Sequence, residues 1–323
     1  MLKMVRCICS KIKYTGDSIG DDIQIQIACL EKSVSLNKQI KKGNELVLNA
    51  EVGQFFTDST LFTLPTLIKI IEKDAVFNDV GVKGFDIKID LDSNLPQSSA
   101  HIVEVSELSV ALSKKKAIFE ITLVVVVSDA ILYVSYERGK GGWTDVIREI
   151  DQTRIALPSY TQVQLEGQNA KRHYFIIREG VLKGTKASIK IASDGLPFLQ
   201  PISYFTDPAY LTYSLSTNEV RLGSAVYASK SYPDDPKPWK KGVYDIEIPD
   251  APHLGGLYYL AAAKLAKVWF RIGHTGDRYL HIGTHSKGCI TLTEVGRWDE
   301  LCRILLKARK GDGQSVGILE VVD

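Results

Sequence analysis

The stretch from Arg278 to Leu292 (Arg-Tyr-Leu-His-Ile-Gly-Thr-His-Ser-Lys-Gly-Cys-Ile-Thr-Leu) brings one Cys and two of the six His within nine residues. A thiol becomes a useful nucleophile when a neighbouring imidazole, a cation or a helix N-terminus favours its thiolate. Around Cys289 the chain offers His281 eight residues upstream and Lys287 two residues away. Gly288 admits unusual backbone angles, so the N–H groups of Gly288 and Cys289 can face a developing oxyanion. Cys302 is the contrast: it falls on the apolar face of a helical segment with no His near it in sequence, and reads as core. The same residues support a competing metal reading, because His281, His285 and Cys289 are all competent zinc ligands. Gly283 and Gly288 argue against the helix that would gather them on one face, so no metal or cofactor is expected.

The elements that must position this cluster read mainly as strands. Val268–Ile272 and Arg278–Ile282 form a hairpin around the glycines of 273–277. His274 then sits at the hairpin tip, roughly 20 Å of strand from His281, and is read as a turn residue. His281 is the general base; Tyr279 shares its strand face and lines the cleft. Upstream, 211–215, 219–222 and 224–228 are strands, followed by a proline-rich turn over 232–239 and a strand over 241–249. Tyr258–Lys267, with Ala at several positions, predicts a short helix. Thr293 is placed as the cap of a last helix burying Val295, Trp298, Leu301, Cys302 and Leu305, before a closing strand over 316–322.

The first 134 residues alternate with period two, as at Val5, Cys7 and Cys9 and at Ile23, Ile25 and Ile27. They predict a β-sandwich whose size and rhythm resemble a C2-type domain. Asp17, Asp21 and Asp22 sit near one of its turns and are read as turn formers rather than calcium ligands. The glycine-rich 136–142 marks a boundary, giving a sandwich over 1–137, a small β-rich module over 138–206 and a chemistry-bearing domain over 207–323. His173 in the middle module is read as structural. A formal net charge of +2 gives no general reason to expect nucleic acid. The N-terminus lacks the pattern of a secretory signal, so synthesis in the cytoplasm is expected, with a non-Sec route outward if the target lies outside. No transmembrane segment is expected, because Glu120, Thr122, Ser128 and Asp129 interrupt the apolar run 117–134. Five Cys form no disulfide framework.

From about Tyr210 onward the chain resembles the YkuD-type L,D-transpeptidase catalytic domain. That family carries His-Gly-Thr on a strand and a Ser/Thr-His-Gly-Cys motif after a loop. Here the matching residues are His281-Ile-Gly-Thr284 and Ser286-Lys-Gly-Cys-Ile-Thr291, and Pro238–Ile246 is similar to the family's upstream strand. An Ile is inserted after His281, the loop is shorter, Lys287 replaces a His, and Thr291 replaces Arg or Asn. The resemblance implies that Cys289 attacks a peptidoglycan stem peptide, with His281 as base, Gly288 and Cys289 N–H groups as oxyanion donors, and Ser286 within the nucleophile motif. Thr284, His285, Lys287, Tyr279 and His253 are read as substrate contacts. The expected partner is thus a peptidoglycan peptide, with the N-terminal sandwich docking on a membrane or a protein. The alternative is a degenerate β-rich module that grips peptide or cell wall without cleaving it.

Overall fold

Strands of 8 to 14 residues whose alternate side chains are buried build the first part of the chain, as at Ile23, Ile25 and Ile27, all 1% exposed or less. The computed structural model describes residues 2–59, 61–73, 78–93, 95–107, 115–231 and 238–323; most of the expected proline-rich turn, 232–237, lies outside them. The chain divides into two compact units, residues 1–130 and 131–323. Both 138–206 and 207–323 therefore belong to the second unit. The protein is mainly β.

The first unit holds β1 (Lys3–Gly16), β2 (Asp22–Cys29), β3 (Lys32–Gln39), β4 (Glu45–Thr57), β5 (Phe62–Glu72), β6 (Asp79–Ile89), β7 (Gln97–Ser106) and β8 (Lys116–Asp129). They form two antiparallel sheets, β4-β1-β8-β7 and β3-β2-β5-β6, whose inner faces share one core. Tyr14 and Phe119 stack there with centroids 4.4 Å apart. The Tyr14 hydroxyl accepts from Ile19 N–H at 2.8 Å and donates to the Asp17 carbonyl, so the one polar atom of this core ring is satisfied. The Asp17 carboxylate accepts the Lys116 N–H at 2.8 Å, tying the end of β1 to the start of β8.

The second unit begins with β9 (Ile131–Val134), β10 (Trp143–Arg148), β11 (Arg154–Pro158), β12 (Gln162–Gln168), β13 (Arg172–Ile177), β14 (Lys186–Lys190) and β15 (Leu199–Gln200). These make one seven-stranded antiparallel sheet, in the order β11-β10-β14-β13-β12-β9-β15. The chain then builds β16 (Ala209–Ser214), β17 (Glu219–Leu222), β18 (Ala225–Lys230), β19 (Gly242–Glu247), β20 (Phe270–Arg271), β21 (Tyr279–Ile282), β22 (Ile290–Leu292) and, after α1 (Trp298–Lys307), β23 (Ser315–Val322). Their order is β19-β23-β16-β17-β18-β22-β21-β20. A single bridge between Ile246 and Ile272, with Gly273 N–H donating to the Asp245 carbonyl at 2.8 Å, joins the two edges into a near-barrel. Closure of this kind leaves few strand edges unpaired.

Helix α1 lies against this sheet through Trp298, Leu301, Cys302, Leu305 and Leu306. Trp298 is fully buried, its Nε1–H donates to the Leu265 carbonyl at 3.0 Å, and a side chain of that size contributes about 4–6 kcal/mol of gross transfer free energy. Thr293 does not cap α1: its hydroxyl donates to the Ala228 carbonyl, and a short 3₁₀ turn, Val295–Arg297, leads into the helix instead. The helix expected over 258–267 is also replaced, by a 3₁₀ segment Leu254–Tyr259 followed by turns. The Asp299 carboxylate accepts the Lys264 and Leu265 N–H groups at 3.0 and 2.9 Å, and Ala263, Leu265, Ala266 and Val268 are buried. Alanine's helix preference is less than 1 kcal/mol or so per residue, and packing with external hydrogen bonds outweighs it here.

Candidate active site

Strands β21 and β22 are parallel neighbours, with Leu280 opposite Ile290 and His281 opposite Thr291. Only residues 283–289 connect them. Parallel partners ordinarily need a crossover of about a dozen residues or more, yet seven extended residues reach roughly 23 Å, enough to return along a four-residue strand. The return sets Cys289 beside the start of β21, one step before the Leu280–Ile290 pair. Tyr279 and His281 on one strand and Cys289 and Thr291 on the other therefore share a face by the two-residue period. Cys289 is the diagonal neighbour of His281, a relation of about 7–8 Å between backbones that long side chains span.

The sulfur of Cys289 is half-buried and receives the Tyr279 backbone N–H at 3.4 Å. A longer contact, 3.9 Å, runs from Sγ to the Asp277 carbonyl. Gly288 adopts φ +99°, a left-handed angle that an L side chain resists, and is buried. Ser286 donates from its hydroxyl to the Cys289 carbonyl at 2.7 Å, which ties the loop into its turn; the observed use of Ser286 is to shape the nucleophile loop.

His281 is only 6% exposed. Its Nδ1 lies 2.7 Å from the Ile282 carbonyl. A carbonyl can only accept, so Nδ1 carries the proton and Nε2 is the basic nitrogen of the neutral ring. Thr291 Oγ1 is 3.2 Å from Nε2 and donates to it in that tautomer. Burial pushes the imidazole down to about 4, against the Ile282 hydrogen bond that raises it and with a smaller contribution from His253. The ring is thus neutral and able to accept a proton throughout the neutral range. An unfolded His titrates near 6.5, so the unfolded chain binds the extra proton between that value and 4. Stability tied to His281 is accordingly full above about pH 6.5 and is lost as pH falls towards 4. Rate profiles of any reaction in which His281 is the base should keep their acid limb near pH 4 rather than near 6.5, read from kcat/KM across pH 3.5–7.

An aromatic stack holds the imidazole in place. Trp269 stacks on His281 with centroids 4.1 Å apart, His253 stacks on Trp269 at 4.4 Å, and the His253 ring meets Tyr279 edge-on at 4.6 Å. Trp269 is fixed by its Nε1–H to the Ala266 carbonyl, and Gly255 leaves it room, since a Cβ there would come within 2.9 Å of the indole. Asp250 gathers His253 Nε2 at 3.0 Å, the Tyr279 hydroxyl at 3.0 Å and Arg271 Nη2 at 2.6 Å. Burial opposes its ionisation, but the His253 and Tyr279 hydrogen bonds overcome this and hold its carboxyl below the usual range.

The residues proposed for substrate contact separate into two groups. Tyr279 and His253 belong to the stack beside Cys289. Thr284, His285 and Lys287 are exposed on the connecting loop. Thr284 N–H donates to the Tyr259 hydroxyl at 2.9 Å, and Thr284 Oγ1 is 3.0 Å from His285 Nδ1, so this pair stiffens the loop. His274 is held by Glu247 at 2.9 Å and Asp245 at 2.7 Å, which raise its pKa and clamp the hairpin tip to β19. Trp269, Asp250 and Arg271 were not singled out by residue spacing, because they reach the site from other segments of the chain; Thr291 was named only as a departure from the resembling family's Arg or Asn, not as a partner of His281. No group of three or more His, Cys, Asp or Glu among the described residues is arranged to hold a metal ion. No helix among the described residues is long and apolar enough to cross a membrane.

No protein-family model matches the chain, and no curated protein matches it. Among solved structures, human GIVD cytosolic phospholipase A2 in complex with methyl gamma-linolenyl fluorophosphonate inhibitor and terbium chloride is similar at 10% identity and a TM-score of 0.25, over 67% of this chain and 35% of that one. A second structure of human GIVD cytosolic phospholipase A2 gives 10% identity and a TM-score of 0.22, over 59% and 30% of the two chains. The chain spans about a third of the length of these proteins, and likeness at this level carries no argument about fold or activity.

Proposed function

We propose that the second unit is a cysteine acyltransferase acting on peptides, of the L,D-transpeptidase or L,D-carboxypeptidase type. The observation that carries the reading is the pairing of a half-buried thiol, hydrogen-bonded by the Tyr279 N–H, with a neutral His281 on the neighbouring strand whose Nδ1–H is already committed to a carbonyl. In the reaction, Cys289 Sγ attacks the carbonyl carbon before the terminal D-amino acid of a stem peptide. Its proton passes to His281 Nε2 as the Thr291 hydroxyl turns aside. The C–N bond breaks, His281 returns the proton to the leaving amine, and a thioester remains on Cys289. An amine of a second stem then yields a cross-link and regenerates the thiol; water yields the shortened acid. The Gly288 and Cys289 N–H groups are the oxyanion donors of this scheme.

Purified muropeptides incubated with the full chain test it. Wild type should release the terminal D-amino acid or form cross-links, and Cys289→Ala should do neither. Unchanged muropeptides with wild type, alongside retained binding, would select the non-catalytic peptide-gripping alternative.

A further inference from the structure

A groove of about 620 Å³ opens in the second unit, within the size range of small-ligand sites, and its walls include none of Cys289, His281 or Tyr279. Among the described residues six cationic side chains line it, Arg138, Lys140, Arg154, Arg172, Lys190 and Lys267, against one acidic residue, Asp145. The whole chain carries 40 basic and 38 acidic residues, so this concentration does not follow from composition. Arg138 is paired with Asp194, and Arg154 makes a loose 3.6 Å contact with Asp145 in which both side chains are mostly exposed. Lys140, Arg172, Lys190 and Lys267 have no acidic partner among the described residues. Arg172 is nevertheless held in place, its Nε donating to Ser188 Oγ at 2.9 Å and one Nη to the Ser188 carbonyl at 3.0 Å, which leaves the other Nη for a ligand. Phe198 gathers two of the cations over its ring, Arg138 at 4.8 Å and Lys190 at 5.6 Å. Like charges assembled around a concave, partly apolar wall repel one another in the empty protein and focus a positive potential that an anion relieves.

A chain of contacts joins the wall of the groove to the surroundings of the thiol. Pro252 and Lys267 belong to its wall, and the Lys267 carbonyl accepts the His253 N–H at 3.0 Å. His253 packs on Trp269 and Tyr279, and the Tyr279 N–H points at Cys289 Sγ. We infer that this groove is an anion-binding subsite that takes the carboxylate-bearing part of an acidic peptide while its scissile end reaches Cys289. The choice of a peptide rests on the acyl-transfer reading of Cys289. It is also favoured by the bounded size of the groove, since a nucleic acid is bound along an extended track of phosphate contacts.

Binding can be measured without turnover by titrating the full-length Cys289→Ala chain with a tetraglutamate peptide. The affinity should fall about tenfold in a Lys140→Gln/Lys190→Gln background and by a similar factor between about 50 mM and about 300 mM salt. Lys42→Gln, an exposed turn position of the first unit, should leave it within about twofold. Thermal unfolding of each variant checks that the fold is intact. Absence of peptide binding, or equal weakening by Lys42→Gln, would overturn the assignment. So would tighter binding of a single-stranded oligonucleotide than of the peptide, which would make the groove a nucleic-acid site. Because no step of this measurement needs acyl transfer, a groove that binds peptide in a chain that never acylates separates failure of the catalytic reading from failure of this one.

Discussion

Replacing His281 with Gln should slow acylation of Cys289 by about 10²–10⁴-fold. Glutamine keeps a donor for the Ile282 carbonyl and a flat amide to stack on Trp269, but it cannot take a proton from the thiol. The loss should therefore fall on the acylation rate, with little change in thermal stability near pH 7. Single-turnover acylation followed by quenched mass spectrometry measures it. A change of less than about threefold would remove His281 from the role of base.

The largest effect on stability is expected at a buried ion pair outside the Cys289–His281 pair. Arg309 and Glu179 form a two-pronged ion pair at 2.7 and 2.9 Å, with side chains only 8% and 4% exposed. Glu179 also accepts the Gln162 N–H at 3.0 Å, and the Arg309 guanidinium covers the Phe205 ring at 4.3 Å. Removing the carboxylate alone strands a buried cation, so Glu179→Ala should cost about 3–5 kcal/mol. For a unit of this size that is a drop in Tm of roughly 6–20 °C. The paired change Glu179→Leu/Arg309→Met, which removes both charges, should cost far less. Denaturant unfolding of the two variants decides this; equal losses would mean that packing, not the stranded charge, dominates.

Much of the first unit was legible because its strands bury one face and so print period two into the sequence, as at Ile23–Ile27 and Val5–Cys9. The expected sandwich has the two sheets of the structure. Strand β3 left no such signal, since it is exposed along most of its length. Strand β5 was hidden by Pro65, which is tolerated because pairing with β2 ends at Thr66 and the Pro65 nitrogen has no ladder partner to supply there. In the second unit the hairpin of β20 and β21 and the apolar face of α1 were readable from glycine placement and helical spacing. The parallel return from β21 to β22 was not. Sequence proximity made His281 the base for Cys289 without saying where along that strand the thiol lies; the return places Cys289 at the start of the strand, under the Tyr279 N–H. The Trp269 stack and the Asp250 cluster were equally invisible, because they join residues 250, 253, 269, 271, 279 and 281 by fold rather than by period.

The five cysteines provide the most direct measurement of the central claim. Cys7, Cys9, Cys29 and Cys302 are buried free thiols, and Cys289 is half-buried. Burial pushes Cys9 up to about 12, and burial also raises Cys302 well above its ordinary value. Limited exposure of the folded full chain near pH 7 to a carbapenem, followed by intact-mass and peptide mapping, should give one adduct per chain, on Cys289, and none on the Cys289→Ala chain. A folded protein left without an adduct, or one labelled at the other cysteines in preference to Cys289, would contradict the account of Cys289 as an activated nucleophile.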